Sequence, residues 1–204
     1  MNGTNVPKGA ARRDPILRAT LELIGERGPD AVTNRAVAER AGLPLAATTY
    51  WFESKEQLLQ EALRLVAREE TERLERLVLD LAPRELDAGA WARAVAATLA
   101  ADLAEDPVRH VALIELVLEG TRRPWLRDEV VRWHAAHLRL AEMGLRAAGS
   151  PDPGADAALV VATLTGLVLG QLAIPQPDFE EAIFRPALER LFASLVEGAP
   201  AVSG

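Results

Sequence analysis

Apolar residues recur every three or four positions along almost the whole chain, and no stretch alternates strictly enough to read as a strand. Ile16, Leu17, Leu21 and Ile24 share one helical face, with Arg13, Arg18 and Glu22 largely off it. The stretch "RGPD" ends that helix, because Gly28 and Pro29 do not continue one comfortably. Thr33 then caps a short helix over Asn34–Ala41, Gly42 closes it, and a third short helix follows Pro44 from Leu45 to about Tyr50. Ser54 and Gln57 form a capping box that opens a long helix through Leu58, Leu59, Ala62, Leu63 and Val66.

The second half repeats this grammar. Pro83 and Asp87 announce a helix carrying Trp91, Val95, Leu99 and Leu103 at helical spacing. Asp106-Pro107 opens the next, with proline at the first helical position, and "TRRP" breaks the chain before Trp125. Val130, Trp133, His137, Leu140 and Met143 lie along a further helix that stops near Gly149. Asp152-Pro153 starts the most apolar helix, which Pro175 ends. Asp178 and Glu181 give a weaker capping signal, and Pro186 kinks or restarts the last helix, since the residue before a proline is pushed out of the α region. The pattern predicts an all-α chain of about eight to ten helices with no sheet.

The run from Ala157 to Ile174 approaches the length of a membrane span. Thr163, Thr165 and Gln171 interrupt it and no basic flank follows, so a buried helix and no membrane contact are expected. The absence of cysteine removes disulfides and thiolate chemistry and suits a cytoplasmic protein. Residues 1–12 lack an apolar signal core and read as a disordered arm, basic towards its end at Lys8 and Arg12. Residues 199–204 read as a flexible tail.

Charge is unevenly placed. Residues 1–60 carry eight Lys/Arg against seven Asp/Glu, whereas the rest carries fifteen against twenty-three. A polyanion can therefore be met by the head alone, although chance also produces such asymmetry. The two short helices joined by Gly42-Leu43-Pro44-Leu45 match a helix-turn-helix, which sets its second helix in a DNA major groove. Thr48, Thr49, Tyr50 and Trp51 then have a use: hydroxyls donate to phosphate, and Ala46 and Ala47 permit close approach to bases. Leu45, Ala46 and Thr48 are expected at base edges, Thr33, Tyr50 and Lys55 at phosphates, with Arg35 completing the DNA-contacting set. Lys55 sits where a helix's free N–H groups also suit a phosphate. Trp51 either contacts DNA or packs internally.

Residues 13–63 resemble the DNA-binding domain of TetR-family transcriptional regulators, on "RDPILRATLELIGERG", "VTNRAVAERAGLP" and "TTYWFESKEQLL". The resemblance implies a homodimer in which a helical ligand-binding domain follows a DNA-binding head. It places Thr33 and Lys55 at phosphate-contacting positions and Tyr50 at an aromatic position near the end of the recognition helix. The chain departs from the family pattern at Ala46, where glycine is common, at Thr49, where a second tyrosine is common, and at Trp51, where histidine is usual. The expected division is a head over 13–60 and an effector-binding and dimerisation domain over 61–198. The expected function is repression of transcription from an inverted-repeat operator, relieved by a small hydrophobic or amphipathic ligand.

Beyond the head the reading rests on pattern. Trp91, Trp125 and Trp133, with His110, His134, His137 and Glu115, lie in the middle helices and are the candidate ligand-binding set. The alternative is that the aromatics fill a core and the polar groups face solvent. His134 and His137 have no ligand partner at matching spacing, so no metal and no cofactor are expected. Leu159, Thr163, Gly166, Leu167 and Gly170 on the apolar helix, with Leu188, Phe192 and Leu195 on the last, are the candidate dimer interface, against burial inside one monomer. An enzyme is not expected, since the chain has no glycine-rich phosphate loop, nucleophile elbow or metal-ligand cluster. A small-molecule-binding helical enzyme without nucleic-acid function is the alternative reading.

Overall fold

In a computed structural model, residues 10–81 and 87–196 are described, with side chains from Arg13 onward. The arm residue Lys8, the side chain of Arg12, Pro83 and the tail 199–204 lie outside the described residues. The helices are α1 (Ala10–Arg27), α2 (Asn34–Ala41), α3 (Leu45–Trp51), α4 (Lys55–Leu81), α5 (Ala88–Glu105), α6 (Pro107–Arg122), α7 (Arg127–Ala148), α8 (Pro153–Ala173) and α9 (Arg185–Val196). No strand occurs among the described residues.

The boundaries follow local chemistry. Thr33 Oγ1 accepts from Ala36 N at the start of α2, and Gly42 ends that helix at φ 65°, a left-handed conformation that costs glycine little. At α4 the Gln57 backbone N–H donates to Ser54 Oγ (3.1 Å), the forward half of the capping box, while Gln57 Oε1 accepts from the N–H of Glu53 (2.7 Å), one residue before the cap. Asp87 and Asp152 cap α5 and α8 through the N–H groups of Ala90 and Ala155. Before α9, Phe179–Phe184 forms a π-helical turn without a side-chain cap from Asp178, so the expected capping signal there is corrected. Pro186 has no N–H to give Ala182, and the Arg185 N–H instead reaches Glu180 O, five residues back.

Contacts divide the chain into two compact units, neither continuous in sequence: residues 1–69 with 108–130, and residues 70–107 with 131–204. In the first unit Ile16, Leu17, Leu23 and Ile24 of α1 are buried, Leu23 taking the place expected of the half-buried Leu21. Val37, Phe52, Leu58 and Leu63 are buried in the same unit, as are Leu113, Leu116 and Leu126. A Cβ on Gly25 would lie 2.2 Å from the carbonyl oxygen of Val108, so α1 meets the start of α6 at backbone contact. Arg40 donates to Glu22 (3.0 Å) and Glu26 (2.7 Å), tying α2 to α1. The hydrogen bond to Glu26 is the leading cause that raises the Arg40 pKa and lowers that of Glu26.

In the second unit, Trp91, Leu140, Leu145, Val160, Phe184, Leu188 and Phe192 belong to one buried cluster, and α5 packs along α9. Leu188 (0% exposed) and Phe192 (1%) are therefore core residues, which corrects their expected place at a dimer interface. Burying them under α5 leaves them nothing to offer a second chain. Helix α8 differs from the expectation of a buried helix. It is long and apolar enough to cross a bilayer, with mean hydropathy 1.6, yet only 17% of that window is buried. Ala157, Val160 and Val161 face the core, while Leu159 and Leu169 stay half exposed (50% and 49%).

Candidate functional site

The recognition element is built by two rigid pieces. α2 is held on α1 by Arg40, and α3 packs against α2. Pro44 precedes α3 with extended backbone (φ −60°, ψ 145°), which fixes the entry angle. One face of the seven-residue α3 is turned outward, with Leu45 (52% exposed), Ala46, Thr49 and Tyr50 (77% exposed) on it and Ala47 half-buried. Tyr50 stands edge-on to Trp51, ring centroids 4.9 Å apart at 89°, so the half-buried Trp51 fixes the direction of the phenol.

Thr48 is the residue that departs from expectation. It is fully buried, and its hydroxyl donates to the Leu45 carbonyl at 2.8 Å. On a helix of 3.6 residues per turn Thr48 falls on the side facing α2, where its hydroxyl also lies 3.5 Å from Asn34 O. It is corrected from a base-contacting residue to a core residue, and the adjacent exposed Thr49 occupies the outward position.

Around α3 lie the groups that suit phosphate. Thr33 is exposed and spends an Oγ1 lone pair on its cap, which leaves its O–H free to donate. Arg35 is exposed on α2 and has no ion-pair partner among the described residues. Lys55, the first residue of α4, donates to the Asp30 carbonyl at 3.1 Å, which uses one of three N–H bonds and holds the ammonium near the start of α4.

The expected ligand-binding residues do not fall in one unit. His110, Glu115 and Trp125 belong to the first, and Trp91, Trp133, His134 and His137 to the second. Trp91 is 2% exposed, and a Cβ on Gly144 would lie 1.8 Å from its Nε1, so this tryptophan is corrected to a packed core residue. His110 is also buried. Glu115 and Trp125 are half-buried, Arg123 lies over the Trp125 ring at 5.7 Å, and His134 is exposed. His137 Nδ1 lies 3.0 Å from the Trp133 carbonyl, with the two rings in edge contact at 4.6 Å. The His137 pKa is lowered from its ordinary 6.5, chiefly by burial and further by Arg73 and His134, against the Trp133 carbonyl and Glu70, which raise it. The buried Trp133 indole N–H has no hydrogen-bond partner among the described residues.

Sequence reasoning missed a cleft of about 470 Å³ in the second unit, where the ends of α5 and α8 meet the segment 175–180. None of the seven expected ligand-binding residues lines it. A signal was present in "QLAIPQPD", where Pro175 and Pro177 bracket Gln176, but it read as a helix stop.

Residues 16–62 match the family described as bacterial regulatory proteins, tetR family, and residues 86–198 match the tetracyclin repressor-like C-terminal domain. The HTH-type transcriptional regulator PksA of Bacillus subtilis (strain 168) is 39% identical over 75 residues, 36% of this chain and 37% of PksA. The HTH-type transcriptional repressor KstR2 of Mycolicibacterium smegmatis is 38% identical over 55 residues, 27% of each chain. The chain thus matches between about a quarter and little more than a third of the length of these curated relatives. The crystal structure of the multidrug binding protein EbrR complexed with imidazole is 30% identical, with TM-score 0.63 over 95% of this chain and 98% of EbrR. EbrR has also been solved with ethidium and with proflavin.

Proposed function

The chain belongs to the tetR family of bacterial regulatory proteins, and on that premise we propose that it is a homodimeric transcriptional repressor that leaves an inverted-repeat operator when a small molecule binds. The observation that carries this reading is the outward face of α3, with Leu45, Ala46, Thr49 and Tyr50 exposed on a helix braced by α2. That is the surface a major groove accepts. Thr33, Arg35, Tyr50 and Lys55 act as positioning contacts to phosphate, and Leu45, Ala46, Ala47 and Thr49 meet base edges and thymine methyls. Trp51 supports Tyr50 rather than touching DNA. Acting on the chromosome, the protein works in the cytoplasm.

Dimerisation rests on α8. Leu159, Gly166, Leu169 and Gly170 are exposed and Thr163 and Leu167 half-buried along one apolar helix, and Leu195 on α9 is half-buried too. A Cβ at Gly166 or Gly170 would meet nothing within 4 Å, so the monomer does not need these glycines. A second copy of α8 lying against them does. Two-fold pairing in turn requires an inverted-repeat operator. The effector lies among the helices of the second unit, with an apolar body suited to clefts of a few hundred Å³.

The test is a mobility-shift titration of the full chain on its own upstream DNA and on random DNA, across a range of salt. Specific retardation of the upstream fragment is the expected result. Lys55→Ala is expected to weaken both DNAs alike and reduce the salt slope by about one unit per subunit. Equal affinity of wild type for both fragments would overturn operator recognition, and no retardation at any salt would remove the reading altogether.

A further inference from the structure

The cleft at the ends of α5 and α8 has a chemistry of its own. At about 470 Å³ it has room for a molecule of two or three fused rings. Leu103, Leu172 and Phe179 supply apolar wall. The Phe179 ring is stacked on Phe184, centroids 4.9 Å apart at 21°, which makes it a braced flat plate. Three lining residues, Pro107, Pro175 and Pro177, have no N–H to donate.

The glutamines that line the cleft are bonded within the turn. Gln171 Nε2 donates to Gln176 O at 3.0 Å, and Gln171 Oε1 accepts from Gln176 N at 3.0 Å. Gln176 Nε2 donates to Ile174 O at 3.3 Å. These bonds hold the turn, and each side-chain NH2 keeps one further N–H.

The local charge is mainly negative, although Pro107 opens α6, whose N-terminus carries the opposite partial charge. Two helix C-termini, those of α5 and α8, converge here, and neither has a basic residue in its last turn. Each C-terminus carries partial negative charge. Glu180 adds a carboxylate, and no lysine or arginine is among the described residues lining the cleft. The Arg185 guanidinium lies 3.8 Å from Glu180 and 3.8 Å from Glu181, shared between the two at long range.

An apolar slot with a flat aromatic wall, a carboxylate paired only at long range and two helix C-termini fits one kind of guest. We propose that this cleft binds a flat apolar cation, its ring system along Phe179 and Leu172 and its positive charge at Glu180. The inference rests on the reading of the second unit as effector-binding and names the class of effector.

The test is a fluorescence titration of the full-length protein with proflavin and ethidium, with an anionic anilinonaphthalene sulfonate as the opposite-charge control. DNA is left out because both cations intercalate. Two variants are compared: Glu180→Gln, which keeps shape and removes charge, and Ala104→Trp, which fills the cleft from its exposed α5 wall. The cations are expected to bind wild type, to bind Glu180→Gln about tenfold more weakly, and to be lost from Ala104→Trp. Equal affinity for wild type and both variants would place the probes elsewhere and overturn the proposal, as would an anion that binds as tightly and is lost with Ala104→Trp. Absence of any cation binding by wild type also overturns it. Retardation of upstream DNA, measured without probe, is a separate readout: it survives if only the cleft assignment fails, and cation binding survives if only the DNA reading fails.

Discussion

Thr48 and Thr49 are neighbours in sequence and opposites in environment. Thr48 is fully buried and its hydroxyl is bonded to Leu45 O, whereas Thr49 is exposed. Thr48→Ala is expected to lower the unfolding free energy by about 1–2 kcal/mol, through a lost buried methyl and hydrogen bond, and so to weaken every DNA sequence alike. Thr49→Ala is expected to leave the denaturation midpoint almost unchanged and to shift preference at one base position by about 1–3 kcal/mol at most. Chemical denaturation and a panel of operator variants separate the two. His137 supplies a second residue-scale expectation. Its pKa is lowered in the fold by burial, so the unfolded chain takes up a proton first as pH falls. The groups facing it, Glu70, Arg73 and His134, do not reverse that direction. Stability is therefore insensitive to this group above its ordinary 6.5 and is lost as pH drops below that value. His137→Gln is expected to flatten the fall in thermal midpoint between about pH 7 and pH 5, and an identical fall in the variant would assign the acid sensitivity elsewhere.

At the scale of elements, what was legible was whatever is written in a few adjacent residues. Thr33, Ser54 with Gln57, Asp87 and Asp152 marked helix starts, and Gly42 and Gly149 marked ends, because a cap is a local hydrogen bond or a local φ. The π-helical turn before α9 was hidden, since it follows from a missing donor at Pro186 and not from any cap at Asp178. The inward rotation of Thr48 was hidden as well: the two threonines carry the same pattern signal, and only the packing of α2 on α3 distinguishes them. The cleft was illegible because its lining comes from α5, α8 and the segment after α8, far apart in sequence. Close packing of elements gives a further expectation. Gly144 on α7 lies against the Trp91 indole on α5, with no room for a methyl group. Gly144→Ala is expected to destabilise by about 1–3 kcal/mol, read as a lower denaturation midpoint together with a shift in tryptophan emission. An unchanged midpoint would mean that α5 and α7 separate freely.

For the whole molecule, the proposed pairing through α8 is the feature to test. Gly170→Leu meets nothing within 4 Å in the monomer, so it is expected to leave the fold of one chain intact while weakening association by about 1–3 kcal/mol through overpacking of the pair. Sedimentation equilibrium of wild type and variant across a concentration series checks this, and a wild type that sediments at 22.0 kDa throughout would exclude the proposed pairing. The discontinuity of the first unit matters for anyone who would treat the DNA-binding head as an exchangeable part. Residues 108–130 share its contacts, and Leu113, Leu116 and Leu126 are buried there, with Gly25 fitted to the Val108 carbonyl. A chimera spliced near residue 60 would keep the recognition helix but part it from the α6 segment against which α1 was shaped. Transplanting operator specificity between relatives therefore means carrying two pieces of sequence together, and the complementarity between position 25 and position 108 decides which donors and hosts are compatible.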